Sequence, residues 1–390
     1  MTRGVGGVGL ASFLSDSGHE MVTAVLPSFI THTLGGSAGA LGLIEGVSDG
    51  LAGAAKLAGG SAANDETRRR NLAAGGYVVT GLATAAIGLA TAVWQAGILR
   101  AVAWIARGAR GPAKNALLAS LAPPEAYGRA FGYERTMDHA GAVAGPLLAA
   151  AFVATIGIRP TIYLSAIPGV LAAFAIIVAA REAKGSGSAI RRRVHLELGA
   201  LREAGMLRAL APVTLFELGN CATTLLILRA TSLLHAGRSI TQAAAVAVLL
   251  FAAHNLVGSA VSYPSGHVID RRGPRVVFGS GVLLFGLAYL GFALHVRAWP
   301  VLLCFFALAG AGMGLTDTAE SALVARLLPD KLRGSGFGLL GGVQSLGDFV
   351  SSAAVGLVWT LVSPGAAFLV AAVWMALSVV TTAVVRPRFS

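Results

Sequence analysis

Charged residues are scarce in this chain. Charged residues fill only 12% of its 390 positions, whereas hydrophobic residues fill 55%, and the mean hydropathy is +0.73. A soluble domain of this size and composition would aggregate, because too little polar surface is available to cover it. The composition therefore excludes a soluble globular protein and predicts a chain that lies in a lipid bilayer.

Two further scarcities narrow the function. The sequence has no Gly-x-x-x-x-Gly-Lys-Ser/Thr loop, which excludes ATP hydrolysis by a P-loop. Its two cysteines, Cys221 and Cys304, lie in separate apolar runs and make neither a metal-type pair nor a disulfide framework. We find no enzyme signature and expect no cofactor, so the energy for any activity should come from a proton gradient or from the solute's own gradient.

Twelve apolar runs are long enough to cross the hydrocarbon core, which takes roughly 20 residues as a helix. Backbone groups have no water to bond to inside the core, and the alternation typical of barrel strands is absent, so helices are predicted. The predicted spans are 8–33, 39–61, 71–91, 95–121, 129–156, 160–180, 208–234, 241–266, 274–296, 299–327, 333–361 and 365–385.

An internal repeat divides these spans into two sets of six. Residues 116–132 return 206 positions later as residues 322–338, with eight of seventeen pairs identical. The same offset aligns residues 60–69 with residues 266–275. We therefore predict two pseudo-symmetric six-helix bundles, 1–181 and 208–390, joined by a cytoplasmic linker at 182–207.

The basic residues indicate orientation. Loops on the side of both termini are rich in Lys and Arg, whereas the loops on the other side hold only Arg159, Arg238 and Arg297. Because Lys and Arg resist translocation, both termini are predicted to be cytoplasmic, in a multi-pass protein of the inner membrane. This bias also accounts for most of the net charge of +12, so a nucleic-acid partner is not expected. The expected partners are the bilayer and a small-molecule or ion substrate, and the protein is expected to be a monomer.

A charged signature follows the second predicted helix of each half. In the second half, Gly266, Asp270, Arg271, Gly273 and Arg275 fit the pattern Gly-x-x-x-Asp-Arg-x-Gly-x-Arg. With twelve spans as six plus six and a long middle loop, this signature resembles that of the major facilitator superfamily. The resemblance covers essentially the whole chain, and it implies an all-α transporter fold whose halves rock about a central cavity.

In the superfamily this loop forms a charge clasp between helices at the cytoplasmic side, so the resemblance implies gating roles here. The first half departs from the pattern, since Asn64 stands at the acidic position, with Asp65 beside it, and Thr67 replaces the glycine. The predicted gating residues of the two loops are Gly60, Asn64, Asp65, Arg68, Arg69, Gly266, Asp270, Arg271, Gly273 and Arg275.

The fifth predicted helix carries a second motif with a predicted gating role. Gly141, Gly145 and Pro146 resemble the Gly-x-x-x-Gly-Pro element of antiporters in the superfamily, although Ala149 and Ala150 replace the glycines that usually follow. Glycines four apart let helices approach closely, and a proline removes a backbone donor and bends the helix. These properties suit a moving gate, and plain helix packing is the alternative.

Acidic residues inside the spans predict a wet central site. Each costs roughly 2.5 to 3.5 kcal/mol at mid-membrane unless it is paired, hydrated or protonated. Asp16, His19 and Glu20 share one helix face by their spacing, and Glu45 and Asp49 repeat that spacing. The first, fourth, seventh and tenth helices line the cavity in the superfamily. The predicted substrate and proton-coupling residues are Asp16, His19, Glu20, Glu45, Asp49, Arg107, Asp138, Glu217, Asp317 and Glu320.

Several interpretations of these residues stay open. Asp16, His19 and Glu20 could coordinate a divalent cation. The arginines of the fourth helix could pair with Asp138 or reach the membrane interfaces. An acid-rich cavity favours a proton-coupled exporter of a small cationic or metal-like solute, because a carboxyl group in a dry cavity favours its protonated form. The alternatives are uptake of an anionic or organic solute through Arg107, Arg110 and Lys114, and a membrane receptor or scaffold that transports nothing.

Overall fold

A computed structural model describes residues 2–182 and 197–385. Helices make up almost all of this part of the chain, and no strand occurs in it. The α-helices are α1 Arg3–Ser28, α2 Ala38–Ala62, α3 Glu66–Ala86, α4 Val93–Leu121, α5 Tyr127–Ile156, α6 Ile158–Leu164, α7 Ala166–Glu182, α8 Leu198–Glu203, α9 Met206–Glu217, α10 Thr223–Leu234, α11 Ile240–Arg272, α12 Pro274–Ala293, α13 Trp299–Leu327, α14 Asp330–Leu361 and α15 Pro364–Val384.

These helices form the twelve membrane segments that the sequence predicts. The sixth segment consists of α6 and α7, the seventh consists of α9 and α10, and α8 is a short helix before the seventh. By length and apolar composition, seven helical stretches within the described residues could cross a membrane unaided: Glu66–Leu89, Pro124–Ile156, Ile158–Glu182, Gln242–Arg272, Pro274–Ala293, Trp299–Leu327 and Pro364–Val384.

The five other segments are polar or interrupted. Helices α1, α2, α4 and α14 carry charged or polar side chains that face the protein interior, which lowers their mean hydropathy. Such residues are tolerated in a membrane when they line a water-filled cavity or pair with each other. The polarity of these helices therefore marks where the functional surface lies.

The seventh segment differs from its prediction as one helix over 208–234. Helix α9 ends at Glu217 and α10 begins at Thr223. Freed backbone groups in the break are bonded by α14, where Ser351 Oγ donates to the Asn220 carbonyl at 2.7 Å and the Ala222 amide donates to Ser352 Oγ at 2.8 Å. Irregular backbone at membrane depth is stable when protein groups satisfy it in this way.

The chain is arranged as two helical halves. The N-terminal half comprises α1–α7 and the C-terminal half comprises α9–α15. Most of the predicted linker at 182–207 lies outside the described residues, and its described end contains α8. The offset of 206 residues places α4 onto α13, residue for residue, at both ends of the helix.

The N-terminus lies on the same face of the molecule as the ends of the fourth, sixth and twelfth segments. We call this the terminal face. Thr2 Oγ1 donates to the Leu121 carbonyl at 3.2 Å, and a Cβ on Gly4 would lie 3.1 Å from a carboxylate oxygen of Glu182. In the C-terminal half, Arg275 at the start of α12 donates to the Thr382 carbonyl near the end of α15. We call the opposite face the distal face.

The halves meet at the terminal face and separate at the distal face. Helices α5 and α11 cross so closely that a Cβ on Gly128 would lie 2.3 Å from the Gly266 carbonyl oxygen. A Cβ on Gly60 of α2 would lie 2.5 Å from Gly338 of α14. Small residues permit such backbone contact. Near the distal end of α2, by contrast, added Cβ atoms on Gly42 or Gly46 would meet nothing within 4 Å.

Candidate functional site

A cavity of about 1410 Å³ lies between the two halves. Helices of both halves contribute to its wall. Because the halves are packed together at the terminal face, the cavity opens toward the distal face. Its charged lining residues are Asp16, Asp49, Lys56, Arg107, Arg110, Lys114, Arg135, Asp138, Asp317 and Asp348.

The predicted group on α1 forms a compact charge network. His19 is buried, with Nδ1 at 3.2 Å from Asp16 Oδ1 and Nε2 at 3.0 Å from Glu20 Oε1. The guanidinium of Arg107 on α4 contacts His19 Nε2 and lies 3.5 Å from Asp16 Oδ1. Within the described residues, no group of three or more His, Cys, Asp or Glu side chains is arranged to hold a metal ion. Arg107 instead occupies the space beside the imidazole.

A second network joins α4 to α5. Glu134 is fully buried, and Lys114 Nζ contacts its carboxylate. Ser12 Oγ donates to the same carboxylate at 2.7 Å. Asp138 lies 3.6 Å from Arg135 and 3.9 Å from Lys114. Two carboxylates therefore balance two cations at the wall of the cavity, and Asp138 serves this network.

Glu45 and Asp49 of α2 bind to α4 and not to the α1 network. Arg100 Nη2 donates to Glu45 Oε2 at 3.0 Å, and its guanidinium lies over the Trp104 ring at 3.4 Å from the centroid. The indole of Trp104 donates to Asp49 Oδ1 at 2.7 Å. Asp49 lines the cavity, whereas Glu45 is held in an ion pair with Arg100.

The acids of the C-terminal half have different neighbours. Glu217 and Glu320 are buried and accept hydrogen bonds from the neutral amides of Asn220 at 3.2 Å and Gln344 at 2.8 Å. Asp317 lies 3.8 Å from the imidazole of His139 in the N-terminal half. Among the described residues, no Lys or Arg comes within 4.0 Å of Glu217, Asp317, Glu320 or Asp348.

These four acids form one group, which we call the C-half acid cluster: Glu217, Asp317, Glu320 and Asp348. Glu217 lies within electrostatic range of the other three, all of the same sign. One oxygen of Glu320 has no hydrogen-bond partner within the described part of the chain. Asp317 and Asp348 line the cavity directly, while Asn220 and Gln344 connect the two buried glutamates to it.

The structure adds residues that the sequence prediction of the site did not include. Asp348 completes the acid cluster from α14, and Glu134 holds the α4–α5 network. Both were evident as acids inside predicted spans, but spacing within one helix could not show which helices they face. Trp104 lies one turn from Arg100 and Arg107, which is the only sequence signal for its contacts with both guanidinium groups.

Predicted gating residues lie where the halves meet at the terminal face. Asp270 accepts hydrogen bonds from the Gly128 amide at 2.7 Å and from Arg129 Nε at 2.9 Å, across the two halves. Arg326 of its own half donates to it at 3.2 Å. Arg271 is exposed, and Gly273 takes a φ of 84° where α11 turns into α12. Asp270 thus links both halves through charge.

The first-half counterpart uses an amide. Asn64 Nδ2 donates to Ser335 Oγ at 2.7 Å, and the Ser335 amide donates to Asn64 Oδ1 at 2.9 Å. Beside it, Arg69 donates to both carboxylate oxygens of Asp330 at 3.0 and 3.1 Å. The predicted Asp65 accepts from the Arg68 amide at 2.9 Å and so caps α3.

The glycines of α5 bring α1 close. A Cβ on Gly145 would lie 2.7 Å from Glu20 Cβ, and one on Gly141 would lie 3.1 Å from Asp16 Cβ. Pro146 lies inside α5, which continues past it to Ile156. The element therefore packs directly behind the α1 charge network.

Comparisons with known proteins agree with this architecture. The sequence model of the Major Facilitator Superfamily matches residues 8–234 and 221–389. An uncharacterised transporter of the major facilitator type from Methanocaldococcus jannaschii is 26% identical over 364 residues, which span 93% of this chain and 89% of the relative. An uncharacterised protein of Mycobacterium tuberculosis is 34% identical over 146 residues, 36% of each chain.

Solved structures share the fold at low identity. A bacterial homologue of the iron transporter ferroportin, in an outward-facing state, superposes with a TM-score of 0.80 at 16% identity, covering 99% of this chain and 100% of that one. A human organic anion transporter superposes with a TM-score of 0.72 at 16% identity, covering 97% and 99%.

The doubled six-helix architecture, the cavity between its halves and the match along almost the whole chain lead to one conclusion. The chain belongs to the major facilitator superfamily and is a multi-pass membrane protein of the secondary transporter type, not an enzyme.

Proposed function

We propose that this protein is a proton-coupled antiporter that exports a small cationic or metal-like solute across the cytoplasmic membrane. The basic loops of the terminal face support a cytoplasmic position for that face. With the terminal face closed and the cavity open at the distal face, the conformation described above is then the outward-facing one.

The C-half acid cluster is the observation that carries this proposal. Glu217 and Glu320 are buried, and their hydrogen-bond partners are the neutral amides of Asn220 and Gln344. Arg135 and Lys56 lie within electrostatic range of the cluster but not at ion-pair distance. An ionised carboxylate buried without a paired countercharge costs several kcal/mol. A proton or a cationic solute relieves that cost, and the two compete for the same charges. Such competition is the requirement for exchange of one against the other.

The contacts made by the acids of the N-terminal half support a structural role for these residues. Asp16 and Glu20, which the sequence predicts to be coupling residues, lie beside His19 and Arg107. Asp16 lies at ion-pair distance from Arg107 and Glu20 lies at that distance from His19, so both side chains already have partners within their own half. We therefore assign proton exchange to the C-half acid cluster and assign the α1 network to holding α1, α4 and α5 together.

Alternating access follows from the two faces. From the outward-facing state, protons enter through the distal opening, neutralise the acid cluster and release the cation outside. The halves then rock, the terminal-face contacts of Asp270 and Asp330 separate, and the cytoplasm exchanges a proton for a new cation. The alternative of anion uptake would use Arg107, Arg110 and Lys114 as ligands. Arg107 and Lys114 already face carboxylates, which leaves Arg110 alone to bind an anion.

Purified protein in liposomes with a pH indicator in the lumen tests the proposal. Choline serves as the organic cation and Mn²⁺ as the metal-like one, because neither carries a proton across lipid by itself. Adding either cation outside should make the lumen more alkaline as protons leave in exchange. Glu320→Gln should reduce the initial rate at least about tenfold, which corresponds to about 1.4 kcal/mol.

The controls separate the alternatives. Glu203→Gln, on the exposed surface of α8, removes a carboxylate without touching the cavity and should leave the rate unchanged. An anion transporter would respond to toluenesulfonate and not to either cation. A receptor or scaffold would show no flux with any probe, and either outcome would overturn the proposal.

A further inference from the structure

The cavity has a second charged pole in the N-terminal half. Most cations on its wall lie within 4.0 Å of a carboxylate: Arg107 near Asp16, and Lys114 and Arg135 near Asp138. Lys56 and Arg110 are different, since none of the described carboxylates lies within that distance of either. Lys56 donates to Ser345 Oγ at 2.8 Å and lies within electrostatic range of Asp348 in the C-half acid cluster, whereas Arg110 donates to Ser15 in the N-terminal half.

Arg110 is held as a binding group would be. Its side chain is 5% exposed and lines the cavity. Nη2 donates to Ser15 Oγ at 2.8 Å, and the guanidinium lies over the Tyr77 ring at 3.6 Å from the centroid. These contacts fix its orientation without neutralising it. Nη1 has no hydrogen-bond partner in the described part of the chain.

An unpartnered guanidinium nitrogen is costly when buried, and a carboxylate or phosphate group would satisfy it. The opposite wall carries Asp317 and Asp348 of the C-half acid cluster. One cavity of about 1410 Å³ therefore offers a fixed positive site on one half and negative sites on the other. A solute with one charge of each sign could bridge the halves.

We infer that the transported solute is a zwitterion, with an ammonium group held by the C-half acid cluster and a carboxylate or similar anionic group held by Arg110. This inference rests on the proposed function and specifies its substrate class. Bridging by a single solute would also couple the two halves during rocking. A simple cation would leave Arg110 without a counterion, and a simple anion would leave the acid cluster uncompensated.

A matched set of probes tests the inference. Glycine betaine and γ-butyrobetaine carry both charges at two separations, choline carries the positive charge alone, and tert-butylacetate is the anionic carbon analogue of glycine betaine. Affinity is measured by the thermal stabilisation of purified protein on titration. We expect at least one betaine to bind about tenfold to a hundredfold more tightly than choline, the range for one hydrogen bond between charged groups.

A variant identifies the residue responsible. Arg110→Gln should lower betaine affinity toward that of choline while leaving choline affinity unchanged. Arg297→Gln removes an exposed cation from the distal loop and should change neither affinity. If Arg110→Gln fails to fold, Ser15→Ala, which frees the guanidinium from its support, should lower betaine affinity with the same selectivity.

The outcomes separate the two proposals. Choline binding as tightly as both betaines overturns the zwitterion and leaves cation export standing. Binding of tert-butylacetate alone overturns both. Absence of binding by every probe, or equal loss of choline and betaine affinity in Arg110→Gln, also overturns the zwitterion inference.

Discussion

The two halves of this transporter share one architecture but distribute charge differently. On the wall of the N-terminal half, carboxylates other than Asp49, which accepts from the Trp104 indole, face Lys, Arg or His at ion-pair distance, as in the contact of Lys114 with Glu134. In the C-terminal half, Glu217 and Glu320 face amides. The two halves thus repeat one fold but differ in their charges, and the half whose buried glutamates lack a cation at ion-pair distance is the one to which we assign ion exchange.

Equivalent positions make the divergence specific. The offset of 206 residues places Lys114 onto Glu320 and Asp138 onto Gln344. Lys114 and Asp138 lie 3.9 Å apart, and Glu320 and Gln344 are hydrogen-bonded at 2.8 Å. An ion pair in one half corresponds to an acid with an amide in the other.

The largest difference between the halves should be in how much the loss of a buried carboxylate lowers the free energy of unfolding. Glu134→Gln leaves buried cations without their main partner, and breaking a buried pair costs about 3–5 kcal/mol. We expect a loss near the lower end, because Asp138 still faces the cations, and thermal unfolding in detergent will measure it.

The matched change in the other half is Glu320→Gln. It keeps an acceptor for Gln344 and removes an uncompensated charge, so stability should change by less than about 1 kcal/mol. Equal destabilisation by both variants would show that the halves do not differ in this respect.

Substitutions in the two terminal-face loops should have smaller effects than the loss of stability expected for Glu134→Gln. Asp270→Asn weakens hydrogen bonds between charged groups across the halves, each worth about 1.5–3 kcal/mol. We expect the population to shift toward the state that is closed at the distal face. Spin labels on Leu43 and Leu357, both exposed near the distal ends of α2 and α14, should report shorter distances. An unchanged distance distribution would remove Asp270 from the gate.

The smallest effect should follow change of the amide in the first-half loop. Asn64→Ala removes two neutral hydrogen bonds to Ser335, worth about 0.5–1.5 kcal/mol each. The same labels should therefore show a smaller shift than for Asp270→Asn. A larger shift would mean that the amide loop, together with the Arg69–Asp330 pair, is the stronger closure.

The sequence predicted the architecture well because hydrophobic runs and the repeat are local or periodic signals. The all-α fold with its two repeated halves was found in this way and is confirmed. The superfamily, also confirmed, was recognised from these features together with the charged signature around Asp270. The break between Glu217 and Thr223 was missed, because its backbone groups are satisfied by Ser351 and Ser352 of a distant helix. Apolar composition continues through the break and hides it.

The role of the predicted site residues stays a prediction. Acids inside spans identified several side chains that line the cavity, but the sequence could not show which of them face cations on other helices. Glu45 and Asp49 share a helix face, yet their hydrogen-bond partners are Arg100 and Trp104 of α4 and not residues of α1. The partner of each acid depends on tertiary contacts. These contacts distinguish the acids that pair with cations from those of the C-half acid cluster.

Proton release on cation binding tests the central claim most directly. Choline is added to purified protein in weakly buffered solution containing a pH indicator. Wild-type protein should release protons as choline binds, and the Glu217→Gln/Glu320→Gln double variant should release almost none while Asp16→Asn still does. Full release by the double variant, or its loss in Asp16→Asn alone, would place proton exchange in the N-terminal half and contradict the account.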